Sequence, residues 1–242
     1  MTVQQDIGQQ YYAGFSLHKF QETKTFKKFN QCLEDIHHNK LKDGFILKEK
    51  YHSTADLRPF AYKYDESIID VLFESKVPDI FKRLLGHNMF LMLVQVRQSY
   101  YQKEKRPYMP WHRDTYFYER TGIVGKVPPI YKIIYYPKFS EAQKNPCLSL
   151  CVGSHMKIFP NSNDDYKQIN KDNIVSVFNS KKDFVLFNTA AFHHTVPPED
   201  KNGQLRIIYS FCHEHQLKEN PDHSELHEIY KKKLENHESL YK

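Results

Sequence analysis

The stretch Asp183-Phe-Val-Leu-Phe-Asn-Thr-Ala-Ala-Phe-His193-His194 decides how this chain is read. Phe184 to Phe187 is a short apolar and aromatic run of the kind that forms a strand, closed by Asn188. A strand built this way delivers a histidine just beyond its end. A second run, Arg206-Ile-Ile-Tyr-Ser-Phe, opens thirteen residues after His193 and twelve after His194. Working outward, Met89–Val96, Pro129–Tyr136, Cys147–Val152, Ile174–Val177 and Leu205–Cys212 are runs of the same type. Pro, Asn, Gly and Lys separate them at irregular spacing, which predicts many short strands between residues 89 and 215.

The flanks carry a different period. Phe26, Phe29, Cys32, Leu33 and Ile36 recur at helical spacing, as do Ile68, Ile69, Leu72 and Phe73. After Pro78 the pattern returns in Ile80, Phe81, Leu84 and Leu85, with Gly86 placed as a C-terminal cap. Residues 1–88 therefore read as a helical flank and 216–242 as a C-terminal helix, with Leu226, Ile229, Tyr230 and Leu234 on one face. Helices, then strands, then a helix predict an α+β chain, mainly β at its centre, built on an antiparallel sandwich or barrel. No internal repeat and no Gly/Ser-rich linker divides it, so 1–242 reads as a single domain.

Composition narrows the function classes. Seventeen Tyr and seventeen Phe in 242 residues supply a core, which excludes a disordered tail. The longest apolar run, Met89 to Val94, is far short of the roughly 20 residues of a membrane span. MTVQQDIGQQ shows no secretory signal, and the four cysteines form no C-x-x-C pair. Together these predict reduced thiols in a cytoplasmic protein with no membrane partner. A net charge of +6 is modest, and its Lys-rich runs read as solvated faces rather than a nucleic-acid surface. The oligomeric state is left open.

His112-Arg113-Asp114 is the first constellation with chemistry. A histidine and an aspartate at i and i+2 on a strand share a face and can share one metal ion. The same letters imitate a kinase catalytic loop, but Glu119 stands where that loop needs Asn, and no Gly-rich phosphate loop exists. The bland alternative is a surface loop with a local ion pair. The downstream histidine and arginine argue against it. Two histidines and a carboxylate take one face of an octahedral metal and leave three positions open, the arrangement of non-haem Fe(II) oxygenases. A later arginine can hold a dicarboxylate by a forked, charge-assisted pair.

In that order, His-x-Asp, then His, then Arg, the sequence resembles the Fe(II)/2-oxoglutarate-dependent dioxygenases, and among them the phytanoyl-CoA hydroxylase-like branch. The matching stretches are Pro110-Trp-His-Arg-Asp-Thr, Leu148-Ser-Leu-Cys-Val-Gly-Ser-His155, and Asp183 through Arg206, within residues 90–215. The resemblance implies a double-stranded β-helix (jelly roll, cupin-like) core. It implies Fe(II), 2-oxoglutarate and O2 as cofactor and co-substrates, with release of succinate and CO2. The usual outcome is hydroxylation of a C–H bond, here of an unidentified small molecule. His112, Asp114 and His193 would be the metal ligands and Arg206 the co-substrate anchor. Departures are Lys144-Asn145-Pro146 before the Gly-Ser-His strand and a lengthened loop, with Pro197, Pro198 and Gly203, before Arg206.

Several positions stay open at this level. His194-Thr-Val-Pro-Pro resembles the ending seen in prolyl-hydroxylase-like relatives, which makes His194 the alternate ligand and a peptide or amino acid the alternate substrate. Tyr131 and Lys132, before an aromatic strand, and Ser154 are candidates to reach the co-substrate; Ser154 and His155 line the site or simply form a turn. Trp111 reads as wall or core, and Tyr116 and Tyr118 as pocket or packing. Cys147, Cys151 and His155 have the wrong spacing for a zinc knuckle, and His213 and His215 read as a strand end. The polar, basic loop from Gln98 to Met109 is a candidate lid whose Lys103, Lys105 and Arg106 would favour an anionic substrate. A different class, a jelly-roll protein that binds ligand without turnover, is distinguished from an enzyme by succinate formation.

Overall fold

The computed structural model describes residues 13–40, 45–49, 52–56, 61–101, 111–114, 130–141, 143, 146–156, 169–201, 203–217 and 224–239. Its strands are β1 (Phe15–Lys19), β2 (Phe45–Glu49), β3 (His52–Asp56), β4 (Phe90–Ser99), β5 (Tyr131–Tyr135), β6 (Pro146–Cys151), β7 (Ile174–Phe178), β8 (Asp183–Asn188), β9 (His193–Thr195) and β10 (Gln204–Cys212). Its helices are α1 (Lys24–Asp35), α2 (Ser67–Glu74), α3 (Val77–Leu85), α4 (Glu214–Leu217) and α5 (Ser224–Ser239).

Pairing is antiparallel throughout, in a seven-stranded sheet ordered β1-β8-β5-β10-β4-β3-β2 and a three-stranded sheet ordered β7-β6-β9. Alternation along each strand of the large sheet sends side chains to two different places. Ile133, Tyr135, Val94, Val96, Phe184, Leu186, Ile207, Tyr209 and Phe211 face α1, α2, α3 and α5 and form the larger core. Their neighbours Ile134, Val185, Phe187 and Ile208 face the small sheet and meet Cys147, Leu148, Leu150 and Val177 in a second core. The result is the double-stranded β-helix expected above, with helices covering one outer face.

The helices follow their periodicity. Thr23 caps α1 by accepting a hydrogen bond from the Phe26 amide at 3.1 Å, and Phe26, Phe29 and Leu33 point inward. Gly86 ends α3 in the left-handed region, its amide donating to Lys82 O at 3.0 Å. Polar ties join helix to sheet: Tyr209 OH donates to Ile68 O at 2.7 Å, and Tyr135 OH lies 2.9 Å from Asn30 Oδ1. No helix among the described residues is long and apolar enough to cross a membrane.

The expected helical flank over 1–88 needs correction. It also supplies β1, β2 and β3, which flank the large sheet on both sides. β3 reads His-Ser-Thr-Ala-Asp and has no large apolar side chain, so no hydrophobic run announces it. Its place is set by backbone pairing, Thr54 with Ser99 through Asp56 with Arg97.

Candidate active site

The site forms where three segments meet at the mouth between the sheets. Asn188 ends β8, and Thr189 then turns the chain: its hydroxyl and amide both donate to Ile130 O, at 2.8 and 3.0 Å. The Thr189 carbonyl accepts the Asp114 amide at 3.0 Å. His112 and His193 exchange two backbone hydrogen bonds, each 3.0 Å, as an isolated antiparallel bridge. The backbone thus fixes all three residues before their side chains are considered.

Their side chains converge. One potential ligand atom from each of His112, Asp114 and His193 lies within 4.8 Å of the others. His193 Nε2 is 3.3 Å from Asp114 Oδ2, and His112 Nε2 is 3.6 Å from Asp114 Oδ1. The two imidazole centroids are 4.3 Å apart, and Phe187 backs the His193 ring edge-on at 4.9 Å. His193 Nδ1 is 2.9 Å from Ala191 O, which makes Nδ1 a donor to that carbonyl and leaves Nε2 as the nitrogen that faces Asp114. Anchoring Nδ1 in this way orients the ring so that Nε2 is the atom available to a metal. Burial opposes ionisation of Asp114, but the charge of Lys132, with His193 and His112, holds its carboxyl well below the usual range. Two imidazole nitrogens and one anionic oxygen in this geometry fit a divalent cation with N/O preference.

The double histidine is separated by strand alternation. While His193 points inward, the His194 ring packs against Trp111 at 4.4 Å, away from the triad. Burial lowers the His194 pKa and keeps it neutral. Arg113, between His112 and Asp114, lies over the Phe192 ring at 4.9 Å.

Tyr131 and Lys132 are split by the same rule. Lys132 faces the site, its Nζ donating to Asp114 Oδ2 at 2.8 Å. Tyr131 belongs to the helix-side core, edge-on to Phe81 at 6.0 Å, so the expectation that it reaches a co-substrate is corrected. The Ser154 hydroxyl is committed locally. It donates to Cys151 O at 2.6 Å and accepts from the Phe192 amide at 2.8 Å, fastening the turn after β6 to the segment entering β9.

Arg206 is 2% exposed and lies on the inner face of β10, with Nη1 donating to Ser99 Oγ at 2.7 Å. Its ladder partner is Arg97 of β4, also buried and on the same face. On that face of β10, Ser210 sits beside Lys132, with Ile208 and then Arg206 behind it. Arg206 therefore lies about 13 Å along the strand from Ser210, the position beside Lys132. Arg97 was not singled out from sequence, because the apolar run that marked the strand stops at Val96. The signal was available in the alternation Gln95-Val-Arg97-Gln-Ser99, which continues the strand with polar residues inward.

The remaining positions take other roles or fall outside the described residues. Cys147 is buried in the inner core, where its thiol meets Gln204 Nε2 at 2.8 Å and Asn179 Oδ1 at 3.0 Å, and burial pushes its pKa up. The His213 ring packs near those of His87 and His215, with centroids at 4.5 and 5.7 Å. Tyr116, Tyr118 and the 102–109 part of the candidate lid, with Lys103, Lys105 and Arg106, lie outside the described residues.

No protein-family model and no curated sequence matches the chain. Solved structures do. The non-haem α-ketoglutarate-dependent epimerase SnoN of nogalamycin biosynthesis superposes with a TM-score of 0.64 at 10% identity, over 87% of this chain and 83% of that one. The α-ketoglutarate-dependent carbocyclase SnoK of the same biosynthesis gives 0.63 at 12%, over 88% and 86%. HygX from Streptomyces hygroscopicus, solved with nickel, 2-oxoglutarate and hygromycin B, gives 0.62 at 12%, over 88% of each chain. At these identities the likeness carries the fold.

Proposed function

We propose that this protein is an Fe(II)- and 2-oxoglutarate-dependent oxygenase that hydroxylates a C–H bond of a small molecule and releases succinate and CO2. The observation that carries this reading is the inward-facing His112, Asp114 and His193 cluster inside a jelly roll. The similarity to SnoN, SnoK and HygX supports it, since the first two are α-ketoglutarate-dependent and the third is solved with nickel and 2-oxoglutarate bound. The motif stretches ending in Gly153-Ser-His155 favour the phytanoyl-CoA hydroxylase-like branch.

The three ligands would hold iron by one face, and bound iron would supply O2 activation coupled to decarboxylation of the co-substrate. The protein's part is to orient and to exclude water. Arg206, buried and preset by Ser99, would pair with the far carboxylate of 2-oxoglutarate, with the positive charge of Arg97 beside it. A carboxylate entering so dry a place needs such a partner, or it carries a desolvation cost of several kcal/mol. Phe187 and Leu150 close the apolar floor beneath His193.

The test is aerobic incubation with Fe(II) and 2-oxoglutarate, measuring succinate. Release that depends on Fe(II) and disappears in Asp114→Ala is expected. Stoichiometric binding of both without succinate, across a panel of candidate substrates, would instead favour a jelly-roll ligand-binding protein.

A further inference from the structure

Lys132 sits where an oxygenase reading has no obvious need of a cation. It is on the inner face of β5, between Phe187 of β8 and Ser210 of β10. Its ammonium is 2.8 Å from Asp114 Oδ2, and both side chains are about three-quarters covered, at 22% and 24% exposure. The two carboxylate oxygens of Asp114 therefore have different neighbours. Oδ1 is turned toward His112 Nε2 at 3.6 Å, whereas Oδ2 is shared between His193 Nε2 at 3.3 Å and the Lys132 ammonium.

We propose that Lys132 is a positioning residue that reserves one oxygen of Asp114, so that the carboxylate gives a metal ion a single bond and three coordination positions stay open. The inference rests on the oxygenase reading of the site. A carboxylate free on both oxygens can chelate a divalent ion, taking a fourth position and leaving two. An anionic co-substrate that chelates through two atoms then leaves no position for O2. An ammonium hydrogen-bonded to Oδ2 prevents this without blocking the metal. Its charge has a second consequence. It offsets the negative charge of Asp114, so the loaded site keeps the full double positive charge of the ion toward the open face. That field favours a doubly negative ligand such as 2-oxoglutarate. The same ammonium repels the metal ion, so Lys132 trades metal affinity for co-substrate affinity. The main chain of Asp114 does not depend on it, because the Asp114 amide is held by Thr189 O at 3.0 Å.

The test compares Lys132→Met, which keeps length and removes charge, with Lys132→Arg, which keeps charge. Mn(II) binding is followed by electron paramagnetic resonance, and 2-oxoglutarate binding is then titrated into the Mn(II)-loaded proteins. Lys132→Met should bind Mn(II) about tenfold tighter and 2-oxoglutarate about tenfold weaker, the scale of groups that orient ligands from behind. Lys132→Arg should return both toward wild type. Weaker or unchanged Mn(II) binding in Lys132→Met would overturn the proposal while leaving the oxygenase reading intact. So would an unchanged 2-oxoglutarate affinity. Failure of the wild type to bind Mn(II) at all would overturn both.

Discussion

The two faces of the large sheet use the same strands for opposite purposes. On β5, Tyr131, Ile133 and Tyr135 go to the helices, while Lys132 and Ile134 go to the small sheet. On β10, Leu205, Ile207, Tyr209 and Phe211 take the helix side, while Arg206 and Ile208 go inward. The helix face is apolar or aromatic along most of its length and is tied to α2 by single hydrogen bonds such as Tyr209 to Ile68. The inner face is apolar only in its middle and becomes charged toward its ends. Burial on the helix side is what allows Arg206, Arg97 and Lys132 to be held on the other side at all, because a buried charge is tolerated only in a scaffold stable enough to position it.

If the faces are separable, substitutions on them should fail in different ways. The largest functional effect is expected from Asp114→Ala, which removes a proposed ligand and leaves the cores untouched. Fe(II) content should fall to background while circular dichroism and the melting temperature change little. A large drop in melting temperature would show that the triad is also structural. His193→Ala should match it, and His194→Ala should keep a measurable fraction of succinate production, because His194 packs on Trp111 rather than on the triad.

On the opposite face, Phe211→Ala removes a fully buried ring packed at 4.7 Å against Phe81. It should cost about 3–5 kcal/mol of stability in denaturant unfolding. The protein that remains folded should bind 2-oxoglutarate with wild-type affinity; a hundredfold loss there would break the separation.

Arg206→Ala should weaken 2-oxoglutarate by roughly 10- to 100-fold, the worth of a charge-assisted bond, with Fe(II) affinity unchanged. Arg206→Lys should recover part of the loss, since it restores charge without the fork. Isothermal titration of the metal-loaded proteins separates the two affinities.

The smallest effect is a pH dependence carried by the helix side. His37, bonded to Gln98 at 2.8 Å, and His227, on α5 near Met92 O, both have pKa values lowered chiefly by burial. A histidine whose folded pKa is depressed stabilises the fold above the unfolded value near about 6.5 and loses that contribution as pH falls toward the folded value. The melting temperature should therefore fall modestly between pH 7.5 and 5.5, and less so in His37→Gln. An increase on acidification would contradict the burial of these rings in the native state.

Much of this contrast was legible in the sequence, and what was missed has physical reasons. Helical periodicity located α1, α2, α3 and α5, because each has one strongly apolar stripe against a single core. The runs that became β4, β5, β6, β8 and β10 were visible because most of their side chains on both faces are buried, and β7 was visible from its Ile-Val-Ser-Val alternation. β3 was not, since a polar strand is placed by backbone pairing with β4. His112, Asp114 and His193 could be named from residue type and order, but the bridge that joins His112 to His193 links positions 81 apart and leaves no local trace. Tyr131 and Lys132 could not be told apart without knowing which parity of β5 faces the helices. Arg97 escaped because polar residues extend the strand past the end of its apolar run.

The most direct measurement is an anaerobic titration of the wild-type protein with Fe(II) and 2-oxoglutarate, followed by the metal-to-ligand charge-transfer absorption of the chelated co-substrate. A band that saturates at one equivalent of each, vanishes in Asp114→Ala and needs far more 2-oxoglutarate in Arg206→Ala is the expected result. Absence of any such band in the wild type, with the fold intact, would contradict the assignment of His112, Asp114 and His193 as an iron site that chelates 2-oxoglutarate.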